Sequence, residues 1–455
     1  MIHDEPIATT PRLNAICRDE LQALAASGGL PQALERLGTA LQAAGMSFEG
    51  RAYYYNPAPL LISEHDAVQL CRKAEGLAAI LEHVGRLYAE EDAVRLFFRS
   101  YASLEGLTLA GYPLASQLHL NRFDTVWQGG GNFKVLEPNC CCPAGVTSNA
   151  MTRRAWRSVP EFARLVAPLS VVEYPIDDET SFASSLAQLA RSWTADAPFV
   201  ALANYRGSFT FELDWLRDIL RDLGCRSAIA DLADFRFANG KLMLGDEVVD
   251  LVYNKLDQLM LRERYDHLPY FDAYRRQTFI AVNSFRSQII LEDKAVLALL
   301  SDERFGQYFT AAERALITDH IPWTRYVRDE DVTHPDGVAN LLRLARGLQG
   351  DLVLKPTNQT RGSGIVIGRD VSAAEWDAGL VAAVGGEWIV QEYCALPIAP
   401  GIAQHGPEPA VEDWSYSLDI FVVAGEAIGL TSRSNANGVI NVGSGGMRRP
   451  VCVVR

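Results

Sequence analysis

QLHLNRFDTVWQGGGNFKVLEPN, residues 117–139, is the stretch on which the fold turns. It reads as strand, glycine-rich turn, strand. Leu118, Leu120 and Phe123 mark the first strand, Gly129-Gly130-Gly131 the turn, and Phe133 to Glu137 the second strand. Side chains two apart on a strand share a face, so Arg122 lies with Asp124 and Glu137 with Asn139. If the turn pairs the strands, two carboxylates, an amide oxygen and a guanidinium converge on one patch. Hard oxygen donors of this kind suit Mg²⁺, which takes a few carboxylates and completes its shell with phosphate oxygens and water. The same spacing also fits an exposed hairpin with scattered polar residues. Two carboxylates facing each other are expected to repel in the absence of a cation.

Three further stretches carry chemistry. In VLKPTNQTRGSGIVIG, residues 353–368, Lys355 ends an apolar strand and a polar loop containing Gly362 and Gly364 follows. Glycine lets backbone N–H groups approach phosphate oxygens, and Lys355 and Arg361 add positive charge. The phosphate loop G-x-x-x-x-G-K-[ST] is absent, and an ordinary β-hairpin is the alternative. WIVQEYC, residues 388–394, is an apolar strand ending in Gln391, Glu392 and Tyr393, whose backbone suits an adenine edge. In SRSNANGVINVGSGG, residues 432–446, Arg433 and Asn441 bracket a turn; a glycine-rich surface loop is the alternative.

The rest of the chain supplies a frame. Leucines recur at helical spacing through residues 20–43, broken by Gly28-Gly29-Leu30-Pro31, and a second amphipathic run spans 68–87. Residues 198–256 read as a small open α/β unit with a hairpin turning at Asn239-Gly240. Asn204, Arg206 and Ser208 follow one of its strands, a favoured ligand position in open α/β sheets. A helical stretch runs from about 283, followed by strands near 351–355, 365–367, 388–393 and 416–423.

Composition narrows the function. The chain has 455 residues, 48% apolar and 22% charged, the balance of a globular protein with ample core. A net charge of −14 argues against a nucleic-acid partner. No apolar stretch would span a bilayer, so no membrane partner is expected, and MIHDEPIATT carries no basic leader. The eight cysteines lack paired spacing, which is consistent with reduced thiols and a cytoplasmic location. The histidines show no metal spacing.

Taken together, the motifs resemble the ATP-grasp superfamily, in which two α+β subdomains grip ATP. The resemblance covers residues 117–150 and about 283–450. It rests on R-F-D at 122–124, E-P-N at 137–139, P-x-G-V-T at 143–147, Lys355 with its loop, and the late Arg433. The E-x-N strand precedes the lysines, as in a circularly permuted chain, and the glutathionylspermidine synthetase-like and glutathione synthetase-like groups are most similar. Cys140-Cys141-Cys142 depart from that pattern, and Asp419 has no face assigned by the sequence.

The resemblance implies an α+β (α/β) permuted ATP-grasp fold. Residues 1–115 would be a helical N-terminal region and 116–165 the segment with the metal strands. Residues 166–282 would form a small α/β substrate domain, and 283–455 the grasp subdomains. The implied cofactors are ATP and Mg²⁺. Asp124, Glu137 and Asn139 would bind metal. Lys294, Lys355, Gly362, Gly364, Gln391, Glu392 and Tyr393 would bind ATP. Arg122, Arg361 and Arg433 would stabilise transferring charge, and Asn204, Arg206, Ser208 and Asn441 would meet substrate. The implied reaction joins a small-molecule carboxylate to an amine through an acylphosphate, with loop 356–364 excluding water. A kinase-like phosphotransferase and a non-catalytic nucleotide binder remain as alternatives.

Overall fold

The computed structural model describes residues 9–48, 51–53, 55–194, 196–204, 210–256, 268–359, 362–404, 408–436, 440 and 445–455. The decisive hairpin forms as strands Leu120–Gly129 and Asn132–Asn139. Gly129 and Gly130 turn the chain at φ +99° and +56°, backbone that a side chain resists. The antiparallel register sets Arg122 opposite Asn139 and Asp124 opposite Glu137, so all four residues share one face.

This hairpin does not stand alone. It is the flank of a sheet ordered Met447–Arg449, Glu426–Asn435, Ala410–Val423, Leu120–Gly129, Asn132–Asn139, with Ile398–Ala403 also pairing to Ala410–Val423. Ile420 lies opposite Phe123 and Phe421 opposite Arg122, joining segments far apart in the chain. The buried face of the sheet, with Phe123, Leu418 and Ile420, belongs to the same core as Leu77, Leu81 and Val84 of the helix Glu64–Glu90. That helix starts where the Ser63 side chain accepts from the Asp66 N–H, a cap that satisfies one of its first free donors.

A second, antiparallel sheet runs Thr324–Tyr326, Trp388–Glu392, Leu352–Pro356, Val366–Ile367. Its back packs on the helices Leu341–Gly347 and Ala373–Ala383 through Leu354, Val390, Trp376 and Leu380. A third sheet is parallel and runs Ile280–Val282, Leu251–Asn254, Phe199–Asn204, Arg226–Asp231. Its central strand is buried throughout, which explains why PFVALAN reads as an unbroken apolar run.

Several elements differ from the sequence reading. VVDLVYNKL, residues 248–256, reads in the sequence as one final strand but divides in two: Glu247–Val248 pairs within the hairpin unit and Leu251–Asn254 enters the parallel sheet. The N-terminal segment contains the buried strand Leu60–Ser63, which pairs in parallel with Val451–Val454. All eight cysteines are free thiols, and no helix among the described residues is long and apolar enough to cross a membrane.

Candidate active site

The candidate residues gather where the first sheet meets the second. On the first sheet, Asp124 lies between two guanidiniums. Arg122 holds it through Nε at 2.6 Å and Nη2 at 3.1 Å, and Arg433 Nη2 reaches it at 2.6 Å. Arg433 also grips Asp419, at 2.8 and 3.0 Å, so Asp419 does face the site. All four groups are buried, and their charges cancel. Burial alone would raise the Asp124 carboxyl, but the Arg122 and Arg433 guanidiniums outweigh it and hold the carboxyl well below the usual range. Burial raises Asp419, with Arg433 opposing. Arg122 also donates to the Ala144 carbonyl at 3.0 Å, which ties the strand Leu120–Gly129 to the P-x-G-V-T segment.

The two lysines converge on adjacent residues of the strand Asn132–Asn139. Lys294 precedes the helix Ala295–Leu300, and its Nζ lies 3.0 Å from Glu137 Oε2 and 2.7 Å from the Gln359 carbonyl. Lys355 comes from the second sheet, and its Nζ donates to the Leu136 carbonyl at 3.3 Å and to Gln391 Oε1 at 2.6 Å. Burial would depress the Lys294 ammonium, but Glu137 overrides it and the value rises. Lys355 has a weaker counter-charge, and burial pushes it down to about 8.

Gln391 has a side-chain role that the sequence did not show. Its amide nitrogen donates to Thr324 Oγ1 at 3.0 Å while its oxygen receives Lys355, so it fixes the lysine in place. The Glu392 and Tyr393 N–H groups are engaged by the Trp323 and Asp351 carbonyls, each at 2.8 Å. The Arg369 guanidinium lies 3.8 Å over the Tyr393 ring. Gly362 and Gly364 both adopt left-handed backbone, at φ +74° and +76°. Asn204 is buried at the end of its strand in the parallel sheet, on a different sheet from the lysine and carboxylate cluster. Arg206, Ser208, Arg361 and Asn441 lie outside the described residues.

Oxygen chemistry at this face fits a hard cation in part. Glu137 is half-buried with one lysine partner, and Asn139 uses its amide nitrogen on the Arg122 carbonyl at 3.4 Å, so its oxygen is the group left for a cation. Asp124 is already neutralised, so ligation by Asp124 requires one of its arginines to give way. Among the described residues no three His, Cys, Asp or Glu side chains form a metal cage by themselves.

Two features escaped the sequence reading. Glu292, two residues before Lys294, accepts the Cys140 N–H and the Cys141 N–H, the latter at 2.7 Å. Burial raises its carboxyl well above the ordinary range against the pull of those donors. Lys255 and Glu212 form a buried pair at 3.3 Å, and Glu212 also accepts the Gly145 N–H at 2.6 Å and the Ser148 hydroxyl at 2.7 Å. Only the partners, brought close by the fold, give these residues meaning.

No protein-family model matches the sequence, and no curated protein matches it. Among solved structures, the chain resembles a glutathione synthetase-like effector (GSS30) from Globodera pallida in its apo form. The TM-score is 0.63 at 13% identity, over 98% of this chain and 100% of that one. A putative γ-glutamylcysteine synthetase from Methylobacillus flagellatus KT gives a TM-score of 0.40 at 12% identity, over 80% and 84% of the two chains. D-alanyl-alanine synthetase A from Vibrio cholerae gives 0.26 at 10% identity, over 56% and 87%. The last two superpose too loosely to carry weight. At 13% identity the first speaks for the fold alone: the chain shares the mixed α/β fold of that glutathione synthetase-like effector.

Proposed function

We propose that the chain is an ATP-dependent carboxylate–amine ligase on a circularly permuted ATP-grasp fold. The observation that carries this reading is the convergence of two buried lysines, from elements far apart in sequence, on Leu136 and Glu137. Glu137 offsets Lys294, but Lys355 donates only to neutral oxygens, and a buried ammonium so placed is costly unless an anion is to be held there. A nucleotide polyphosphate supplies that anion, and the turn at Gly362 and Gly364 leaves backbone free to approach it.

In this reading a carboxylate oxygen attacks the γ-phosphorus of ATP and the bond to the β-phosphate oxygen breaks, leaving ADP and an acylphosphate. An amine then attacks the acyl carbon, phosphate departs with the bridging oxygen, and the amine loses a proton. Lys294 and Lys355 hold phosphate oxygens and offset their charge. Mg²⁺, held on the face of Asp124, Glu137 and Asn139, would neutralise the phosphates so that an anionic nucleophile can approach. Arg433, with Nη1 directed to no described partner, and Arg122 supply positive charge on the same face. Asp124 and Asp419 keep both guanidiniums oriented. The parallel sheet, with Asn204 at a strand end, is the proposed substrate unit. Small carboxylates and amines, such as amino acids or short peptides, are the proposed substrates.

The test is an ADP-release screen over pairs of carboxylates and amines, with mass spectrometry of the product. ADP formation that requires both partners and yields an amide supports the ligase. ADP formation without amine dependence would make the chain a phosphotransferase, and binding without turnover would make it a regulator.

A further inference from the structure

A second cationic feature lies apart from the grip. Beside the strand Thr324–Tyr326 is a cavity of about 290 Å³ lined by Phe97, Arg99, Arg304, Arg325, Tyr326 and Arg328, with Asp302 and Glu330 at its wall. None of these residues belongs to the candidate active site. Four guanidiniums meet two carboxylates there, on a chain whose net charge is −14. The carboxylates do not balance them. Asp302 is held by Arg304, at 2.9 and 2.6 Å, and Glu330 lies 4.0 Å from the same arginine.

The other three arginines have no carboxylate partner among the described residues. Arg325 is buried, and it donates only to neutral oxygens: the Ser301 carbonyl at 2.9 Å, the Ser301 hydroxyl and Thr324 carbonyl at 2.8 Å, and the Thr333 carbonyl at 3.0 Å. Arg328 donates to the Val327 and Gly386 carbonyls at 3.0 and 2.8 Å and lies 4.8 Å over the Tyr326 ring. Arg99 is exposed and follows the short helix Asp92–Phe97 on another wall. Holding a guanidinium in place with carbonyls and an aromatic face orients its planar fork without neutralising it. Burial lowers Arg325 from its ordinary value, a cost that a bound anion would remove.

We propose that this cavity binds a small anion with two acidic groups, carboxylate or phosphate, separately from the nucleotide grip. Arg99 and Arg328, on two walls, offer guanidinium hydrogens to two acidic groups, and Phe97 and Tyr326, with rings 5.0 Å apart, offer an apolar surface to the link between them. The volume admits a compact dianion.

Calorimetric titration of the full chain at low ionic strength tests this with succinate, pyrophosphate and acetate. Succinate or pyrophosphate is expected to bind at least tenfold more tightly than acetate, and which of the two binds identifies the acidic group. Arg99→Ser, at an exposed position, should weaken that binding tenfold or more, while Arg12→Ser, a control on the first helix, should leave it unchanged. Arg328→Lys keeps the charge but loses the fork and should give an intermediate loss. Absence of binding by both dianions, or equal binding by wild type and Arg99→Ser, would overturn the proposal.

Discussion

Lys355 is a buried cation whose hydrogen bonds go to neutral oxygens, and it is the residue most sensitive to what fills the site. Its value falls from 10.5 to about 8, so below about pH 8 its buried charge is a full stability cost. That cost lifts as pH rises toward 10.5, because there the unfolded chain holds the proton more tightly than the folded one. A polyphosphate would restore the charge. Binding of Mg-ATP at about pH 8.5 should therefore take up a fraction of a proton, measurable by calorimetry in buffers of differing ionisation enthalpy. Lys355→Arg, which stays charged, should abolish the uptake; unchanged uptake would place the titrating group elsewhere. Glu137 gives a second prediction, and here the structure reverses the sequence expectation. Repulsion between Asp124 and Glu137 would make Glu137→Gln neutral or stabilising without nucleotide. In the structure Asp124 is already paired and Glu137 faces Lys294 at 3.0 Å, so Glu137→Gln removes a counter-charge from a buried lysine. The variant should lose roughly 1–2 kcal/mol in urea denaturation. It should also lose a hundredfold or more in turnover, about 2.7 kcal/mol or greater. Unchanged stability would mean that the pair contributes nothing to the fold.

Among the elements, the strand–loop–strand from Leu352 to Ile367 depends on Gly364. A Cβ there would lie 3.0 Å from Pro356 Cγ, on backbone at φ +76°. Gly364→Ala should therefore cost roughly 1–2 kcal/mol in urea denaturation and weaken ATP binding. Equal stability would show that the turn tolerates a side chain. The segment Cys140–Cys142 is pinned by Glu292, which accepts the Cys140 and Cys141 N–H groups, while the Cys141 and Cys142 thiols donate to the Leu256 carbonyl at 3.0 and 3.3 Å. Burial, with Glu292 nearby, keeps the Cys140 thiol protonated, unsuited to nucleophilic attack. Each Cys→Ser variant should keep activity within about tenfold, and a thioester trapped on any of the three would contradict this. What was legible in the sequence follows the same logic. The hairpin at 120–139, the helices from 10 to 43 and the strand around Lys355 could be read from local alternation, spacing and turn residues. The strands Leu60–Ser63, Ile280–Val282, Ile398–Ala403 and Val451–Val454 could not. They are short or locally ambiguous, and partners such as Val451 for Leu60 lie hundreds of residues away. Glu292 was hidden within a helical run, and the face of Asp419 depended on pairing with a strand from the other end of the chain.

For the whole molecule, the strand Val451–Val454 is structural. Val451, Cys452, Val453 and Val454 are buried between Leu60–Ser63 and Val171–Val172. Burial of each valine is worth about 1.5–3 kcal/mol, so truncation after Pro450 should cost more than about 5 kcal/mol and leave the chain unfolded or aggregated in a thermal melt. A truncated chain that melted like the parent would show that this sheet is dispensable. The first sheet has the same long-range character, since Asp124 and Arg433, 309 residues apart, meet only after their strands join one sheet. In the proposed function this meeting of sheets forms a nucleotide grip. Titration of Mg-ATP into the wild type and Lys355→Ala, by calorimetry at about pH 7.5, tests it most directly. Saturable binding by the wild type, weakened roughly ten- to a hundredfold in the variant, is the predicted result; no binding by the wild type, or equal affinity in a folded Lys355→Ala, would contradict it.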